Sequence, residues 1–97
     1  MSDVIQHNFA EIDAQLTSMD GRIGQGVQEV EALNQEMTRW AGYWNGSAHE
    51  EAMAYVNRVH STLMHSLEAA KNYVNKARMA NDDMKQQEAS NAGMWGA

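Results

Sequence analysis

The sequence predicts an all-α fold, an antiparallel helical hairpin of two long helices that is expected to dimerise into a four-helix bundle. Three observations predict it. The 97 residues include no proline, a residue that destabilises a helix interior by about 3 kcal/mol. Apolar residues recur at alternating steps of three and four, which is the spacing of a helix face that packs on a partner helix. A turn sequence lies near the middle of the chain, so we assign residues 1–97 to a single hairpin domain.

Helix 1 is predicted over about residues 6–43. Its apolar face begins at Phe9, ends at Trp44 and keeps the phase of a seven-residue repeat across the glycines of the segment DGRIGQG. Glycine destabilises a helix interior by up to about 1 kcal/mol relative to alanine, which makes a break in this segment the alternative. Because the phase of the repeat is unchanged, we expect one continuous helix.

The turn is predicted over residues 44–47. Gly46 can adopt the left-handed conformation that ends a helix, and Asn45 tolerates that conformation next best. Ser47 and Glu50 have the spacing of a capping box, in which each side chain satisfies a free amide at the start of a helix. A connection of a few residues between long helices makes them antiparallel neighbours.

Two tryptophans stand four residues apart at the end of helix 1. Trp40 and Trp44 continue the apolar face of that helix. We therefore expect both indole rings to fill the closed end of the hairpin, between the two helices, where large aromatic side chains bury the most area.

Helix 2 is predicted over about residues 48–86, followed by a flexible tail over about residues 87–97, which is polar and contains glycine. The apolar band of helix 2 is about 200° wide, whereas a simple surface helix has about 100°. We expect a second hairpin to cover the remainder, and a monomer with an exposed methionine-rich face is the alternative. The positions predicted for this core and dimer face are Val56, Val59, Leu63, Leu67 and Val74.

Several function classes have no support in the sequence. The chain has no cysteine and a net charge of −6, without the basic stripe of nucleic-acid-binding proteins. No apolar run approaches the ~20 residues of a membrane span, so we expect no nucleic acid and no stable membrane insertion. The first residues lack the pattern of a secretory signal peptide, and any export is expected to use another route.

No metal, cofactor or enzymatic activity is predicted. His60 and His65 are five residues apart, and His49 precedes His60 by eleven, whereas two ligands on one helix need a spacing of three or four. A zinc ion bridging His7 to Asp82 or Asp83 would be the exception, and we favour solvated histidines instead. The serines have no base placed to activate them, so we expect a non-enzymatic protein.

The motif Trp44-Asn45-Gly46, in the central turn of a hairpin of this length, resembles the WXG family. These are small Esx-type proteins, similar to the early secretory antigen, that are exported by type VII secretion systems. The resemblance implies that Trp44 and Gly46 are the family's W and G and that Trp44 lies beside the export tail of a partner subunit. It also implies synthesis in the cytoplasm, secretion without a signal peptide, a WXG-family partner subunit and recognition by the secretion ATPase.

The tail departs from the family pattern. The signal Tyr-x-x-x-Asp/Glu is absent after helix 2, and a looser export pattern matches at Met84, Glu88 and Trp95 but fails at Asn91. This departure favours a heterodimer in which the partner carries the signal, although a homodimer stays open. The alternative function is a cytosolic helical adaptor or coiled-coil scaffold protein, in which W-x-G is only a tight turn.

Overall fold

The computed structural model describes the backbone of residues 2–96 and the side chains of residues 4–93. It contains two helices, α1 (Ser2–Ala41) and α2 (Gly46–Gly96), joined by residues 42–45. The predicted all-α hairpin is confirmed. Helix α1 continues through all three glycines of the DGRIGQG segment, as the unchanged phase of the apolar repeat predicted.

Both ends of α1 differ from the predicted range. The helix begins at Ser2 instead of residue 6 and ends at Ala41 instead of residue 43. At its end, the amide of Gly42 donates to the carbonyls of both Thr38 and Arg39, each at 3.1 Å, and the amide of Tyr43 donates to the carbonyl of Trp40 at 3.1 Å. The bonds to Arg39 and Trp40 span three residues instead of the four of an α-helix. They tighten the last turn of the helix and close it earlier than the apolar pattern indicates.

Helix α2 is longer than predicted at both ends. It begins at Gly46, and residues 87–96, which we predicted as a flexible tail, continue the helix as far as Gly96. The tail prediction is therefore wrong for these residues. The segment contains alanine, glutamine, glutamate and methionine and no proline, and its helical propensity outweighs its polarity. Ala89 of this segment and Phe9 of α1 line the same cleft.

The chain divides into two compact units, which are described separately. The turn unit comprises Arg22–Ala70, and the terminal unit comprises residues up to 21 together with residues from 71 onward. In the turn unit the core is built from small side chains: Ala41 and Val56 are fully buried, Ala52 is nearly so, and Met37 and Met53 pack against them. Small residues let the helix backbones approach closely beside the turn.

The terminal unit has a core with a polar component. Leu16 and Val74 are buried, and so is Asn81. The Asn81 side-chain amide donates to the Phe9 carbonyl at 3.3 Å and to a carboxylate oxygen of Asp13 at 2.8 Å. Buried polar groups are costly unless they are hydrogen-bonded, and both of these bonds join α1 to α2. This bridge therefore fixes one alignment of the two helices within the unit.

Candidate interaction site at the turn and on one flank

The turn contains the one residue of the described chain with a positive φ angle. Gly46 has φ of 59°, the left-handed region in which an L-residue costs about 1–2 kcal/mol. A Cβ atom added to Gly46 would meet no other atom within 4 Å. The requirement for glycine here is consequently one of backbone conformation alone. The predicted left-handed Gly46 is confirmed, although it stands at the start of α2 and not directly after α1.

His49 connects the two helices across the turn. Its Nδ1–H donates to the carbonyl oxygen of Ala41 at 2.8 Å, and the amide of Trp44 donates to the same oxygen at 3.2 Å. The last carbonyls of a helix lack partners within the helix, so His49 acts as a cap that α2 supplies to α1. His49 is partly buried, and the prediction of a solvated side chain is wrong for this histidine.

The predicted capping box is not formed. Ser47 and Glu50 make no side-chain hydrogen bond among the described residues, and both are exposed. The reason is the position of the helix start. Because α2 begins at Gly46, Ser47 lies inside the first turn, whereas a capping serine must precede the helix.

The two tryptophans do not fill the closed end of the hairpin. Trp40 is 44% exposed and Trp44 is 48% exposed, and their rings meet edge to face with centroids 6.2 Å apart and planes at 67°. The interior position is occupied by Ala41, which is fully buried. The helix contact beside the turn is formed by small side chains, and neither indole ring occupies it. The alanines at 41 and 52, on either side of the turn, were the available signal for this arrangement.

The apolar face of α1 consists of two rows at seven-residue spacing, and they differ in burial. The first row is buried or partly buried: Phe9, Leu16, Ile23, Val30 and Met37. The second row is 41–48% exposed: Ile12, Met19, Leu33 and Trp40. A seven-residue repeat contains both rows, but one facing helix covers only the first.

In the turn unit the second row continues into an apolar surface that we call the open flank. It consists of half-exposed or partly buried side chains: Leu33, Trp40, Tyr55, Val59, Leu63 and Leu67. Two shallow grooves cross it, of about 300 Å³ and 390 Å³, and Leu63 lines both. Gly26 lies in the first groove, where a Cβ atom would come within 3.0 Å of Leu67 Cδ2. The surface is apolar, continuous and accessible.

The predicted core and dimer positions divide between two environments. Val56 is fully buried against α1 in the turn unit, and Val74 is buried in the terminal unit. Val59, Leu63 and Leu67 are only partly buried and line the grooves of the open flank. Three of the five positions are therefore available for contact with another molecule.

Val56 faces α1, and the residues three and four places after it lie on either side of it. Val59 belongs to the open flank. His60 lies on the other side, where its Nε2 is 2.7 Å from a carboxylate oxygen of Glu31 on α1. That bond covers the helix contact on this side with polar groups. The two flanks of the turn unit consequently differ in chemistry, one polar and bonded between helices, the other apolar and open.

The terminal unit contains ion pairs that were not predicted from the sequence. Asp20 accepts from Arg78 at 3.0 Å and lies 3.8 Å from the Lys71 ammonium, and Lys85 donates to Asp13. The hydrogen bond from Lys85 lowers the pKa of Asp13, and the same bond raises the pKa of Lys85. The signal was present in the sequence. The acids at 13 and 20 are seven residues apart, and so are successive bases at 71, 78 and 85. A spacing of seven keeps each set on one face of its helix, so the two sets can face each other in an antiparallel pair.

The three predicted export positions lie on α2. Met84 is exposed and Glu88 is partly buried. Trp95 belongs to the helix, and its side chain lies outside the described residues. These positions are thus presented on a helix instead of an extended tail.

Among the described side chains, no three histidine, aspartate or glutamate groups converge as metal ligands. Over their described lengths, α1 and α2 have no stretch long and apolar enough to cross a membrane.

Comparison with known proteins gave no match: no family model, no curated protein and no solved structure is similar to this chain.

Proposed function

We propose that this chain is a small non-enzymatic protein exported by a type VII (ESX-like) secretion system, where it acts as a dimeric secreted substrate, partner or effector. The observation that carries the proposal is the turn. Trp44-Asn45-Gly46 joins two long helices, the glycine has the left-handed conformation that the motif needs, and the Trp44 ring is half exposed. A tryptophan kept outside the core at such a turn is suited to recognition by another protein.

The open flank supports the dimer. Half-exposed Leu33, Trp40 and Tyr55 lie on a surface with two grooves, and contiguous apolar surface of this kind marks association sites. A second helical hairpin would lay its own apolar row along these grooves and complete a four-helix bundle. Aromatic side chains are enriched among the residues that dominate binding energy, so we expect Trp40 and Tyr55 to contribute most.

A different chain is the better partner than a second copy. The net charge of the chain is −6. In a homodimer two chains of this negative charge would repel each other. A partner with a basic surface would associate faster and with less repulsion. We therefore favour a heterodimer with a WXG-family subunit that carries the export signal recognised by the secretion ATPase. In this proposal Met84, Glu88 and Trp95 form at most an auxiliary signal.

The proposed route is synthesis in the cytoplasm, pairing there and secretion of the folded dimer without a signal peptide. The test is the substitution Trp44→Arg in a bacterium with a type VII apparatus. Because Trp44 is half exposed and Ala41 fills the interior, the variant is expected to retain its helical circular dichroism while its amount in the culture medium falls at least about tenfold, as the loss of a recognition residue implies.

The matched control is Tyr43→Arg, which places the same charge on the neighbouring residue, 82% exposed, and should leave export unchanged. A strain without the secretion ATPase should retain the wild-type protein. If Trp44→Arg is exported like the wild type, Trp44 has no role in the mechanism.

The second candidate function is a cytosolic helical adaptor or coiled-coil scaffold. The observation that favours it is the continuation of α2 to Gly96, which leaves residues 87–96 in the helix and not in a separate export tail. An adaptor would be found inside cells whether or not the secretion ATPase is present, so the same strain separates the two functions.

A further inference from the structure

The terminal unit contains a cleft that the turn and the open flank do not use. It has a volume of about 350 Å³ and lies between the beginning of α1 and the last turns of α2. We call the apolar part of its lining the floor: it consists of Phe9, which is partly buried, and the exposed Ala10, Ala89 and Ala92. Small side chains leave room above them, and the volume is within the ~300–1,000 Å³ of ligand pockets.

The cleft also has a charged part, which we call the rim and which is partly buried. Asp13, Lys85 and Glu88 line the cleft together with Gln6. Two carboxylates and one ammonium group give these residues a net charge of −1 at neutral pH.

The charges at the rim are not equally available. Lys85 donates to Asp13 and also lies 3.8 Å from Asp82, so two carboxylates already neutralise it. Asp13 is held by Asn81 at 2.8 Å as well as by Lys85. Glu88, in contrast, makes no ion pair with any side chain among residues 4–93. Among residues 4–93, the unpaired charge of the cleft is therefore the carboxylate of Glu88.

We propose that this cleft binds a small organic cation, a primary ammonium group carried on an aromatic ring or a short alkyl chain. The apolar body lies on the alanine floor, where its burial removes hydrocarbon surface from water. The ammonium group donates to Glu88, and charge-assisted hydrogen bonds of this kind are stronger than neutral ones. This site is separate from the proposed partner surface and does not depend on the export proposal.

The fixed groups of the rim make this class of ligand preferable to others. The Asp13 carboxylate already accepts from Asn81 and Lys85 on α2, so the ammonium group of a ligand is directed to Glu88. An anion would face two carboxylates and an ammonium group that is already paired. A neutral ligand would fill the floor but leave Glu88 without a partner.

The experiment is an NMR titration of the full chain labelled with ¹⁵N. The ligands are 2-phenylethylammonium, the neutral 2-phenylethanol and the anionic 3-phenylpropionate, which share a phenyl ring and differ in charge. We expect the amide signals of Ala10, Ala89 and Ala92 to shift with the cation, with a dissociation constant on the order of 1 mM for so small a ligand. The alcohol should bind at least about tenfold more weakly, because it lacks the charge-assisted bond.

The deciding variant is Glu88→Gln, which keeps the size and helical propensity of the side chain and removes its charge. Its affinity for the cation should fall about tenfold, whereas Glu68→Gln, at an exposed position of the turn unit, should leave it unchanged. The proposal is overturned by any of three results: no shift at the cleft alanines, equal affinity for the alcohol, or an unchanged affinity in Glu88→Gln.

Discussion

A single type of substitution, glycine to alanine, should have opposite effects on stability at two positions of this chain. At Gly24, inside α1, an added Cβ meets nothing within 4 Å, and the gain in helical propensity should raise the free energy of unfolding by about 0.5–1 kcal/mol. At Gly46 the added Cβ is equally free of contacts, but φ is 59°. Alanine in that conformation should lower the free energy of unfolding by about 1–2 kcal/mol. The reduced entropy of the unfolded chain offsets about 0.4–1 kcal/mol of this loss.

The two variants should therefore differ by about 1.5 kcal/mol, Gly24→Ala more stable than the wild type and Gly46→Ala less stable. For a domain of this size the difference corresponds to roughly 6–12 °C in Tm. The assay is urea unfolding followed by circular dichroism, with all proteins at one concentration because any self-association would shift the apparent stability.

A third glycine gives an internal check on the same reasoning. Gly26→Ala gains the same helical propensity, but its Cβ would lie 3.0 Å from Leu67 Cδ2, and that side chain must move. Its stability should lie below that of Gly24→Ala. If Gly24→Ala and Gly46→Ala change stability in the same direction, the backbone conformation assigned to the turn is wrong.

Three further predictions concern the core, the turn and pH. Val56→Ala should lower the free energy of unfolding by about 1–3 kcal/mol, because Val56 is fully buried. Val59→Ala, on the partly buried open flank, should lower it by less than about 1 kcal/mol. Urea unfolding measures both changes. His49→Ala should lower the free energy of unfolding by about 0.5–1.5 kcal/mol, because the Ala41 carbonyl loses one of its two donors. Amide hydrogen exchange at the turn should become faster in this variant. The pKa of Asp13 is lowered from 3.8, with the Lys85 hydrogen bond as the main cause, so its contribution to stability is present above pH 3.8 and is lost as the pH falls through the lowered pKa. Replacing Asp13 by asparagine should flatten the acid limb of the stability profile, and an unchanged limb would contradict the pairing.

The sequence predicted the helices well because their signals are distributed over many residues. The absence of proline and the seven-residue repeat continue along the whole of α1, so one glycine cannot interrupt the prediction. The ends of the helices were predicted less well. The end of α1 at Ala41 depends on a few local hydrogen bonds. The continuation of α2 beyond residue 86 follows from the helical propensity of residues 87–96, which outweighs the polarity on which the prediction of a tail was based.

The error about the tryptophans has a different cause. A seven-residue repeat identifies two adjacent rows on a helix but does not say which row the partner helix covers. Here the row containing Met37 faces α2, and the row containing Trp40 is turned outward. The buried contact on this side consists of the small residues Ala41, Ala52 and Val56, and both tryptophans lie outside it. Side-chain size on both sides of the turn, instead of periodicity, contained this information.

The outward row of α1, which contains Trp40, also indicates where a partner can bind. On one side of Val56, the bond between His60 and Glu31 occupies polar groups of both helices, and a partner approaching there would have to desolvate or break it. On the other side, Val59 and Leu63 line grooves that contain no such bond among the described residues. Among the described residues, binding on the open flank removes apolar surface from water without breaking a side-chain bond between the two helices. A partner of the turn unit is therefore expected on this flank. A charged substitution at Leu63 should weaken its binding, whereas one at Glu31, such as Glu31→Lys, should mainly lower the stability of the hairpin.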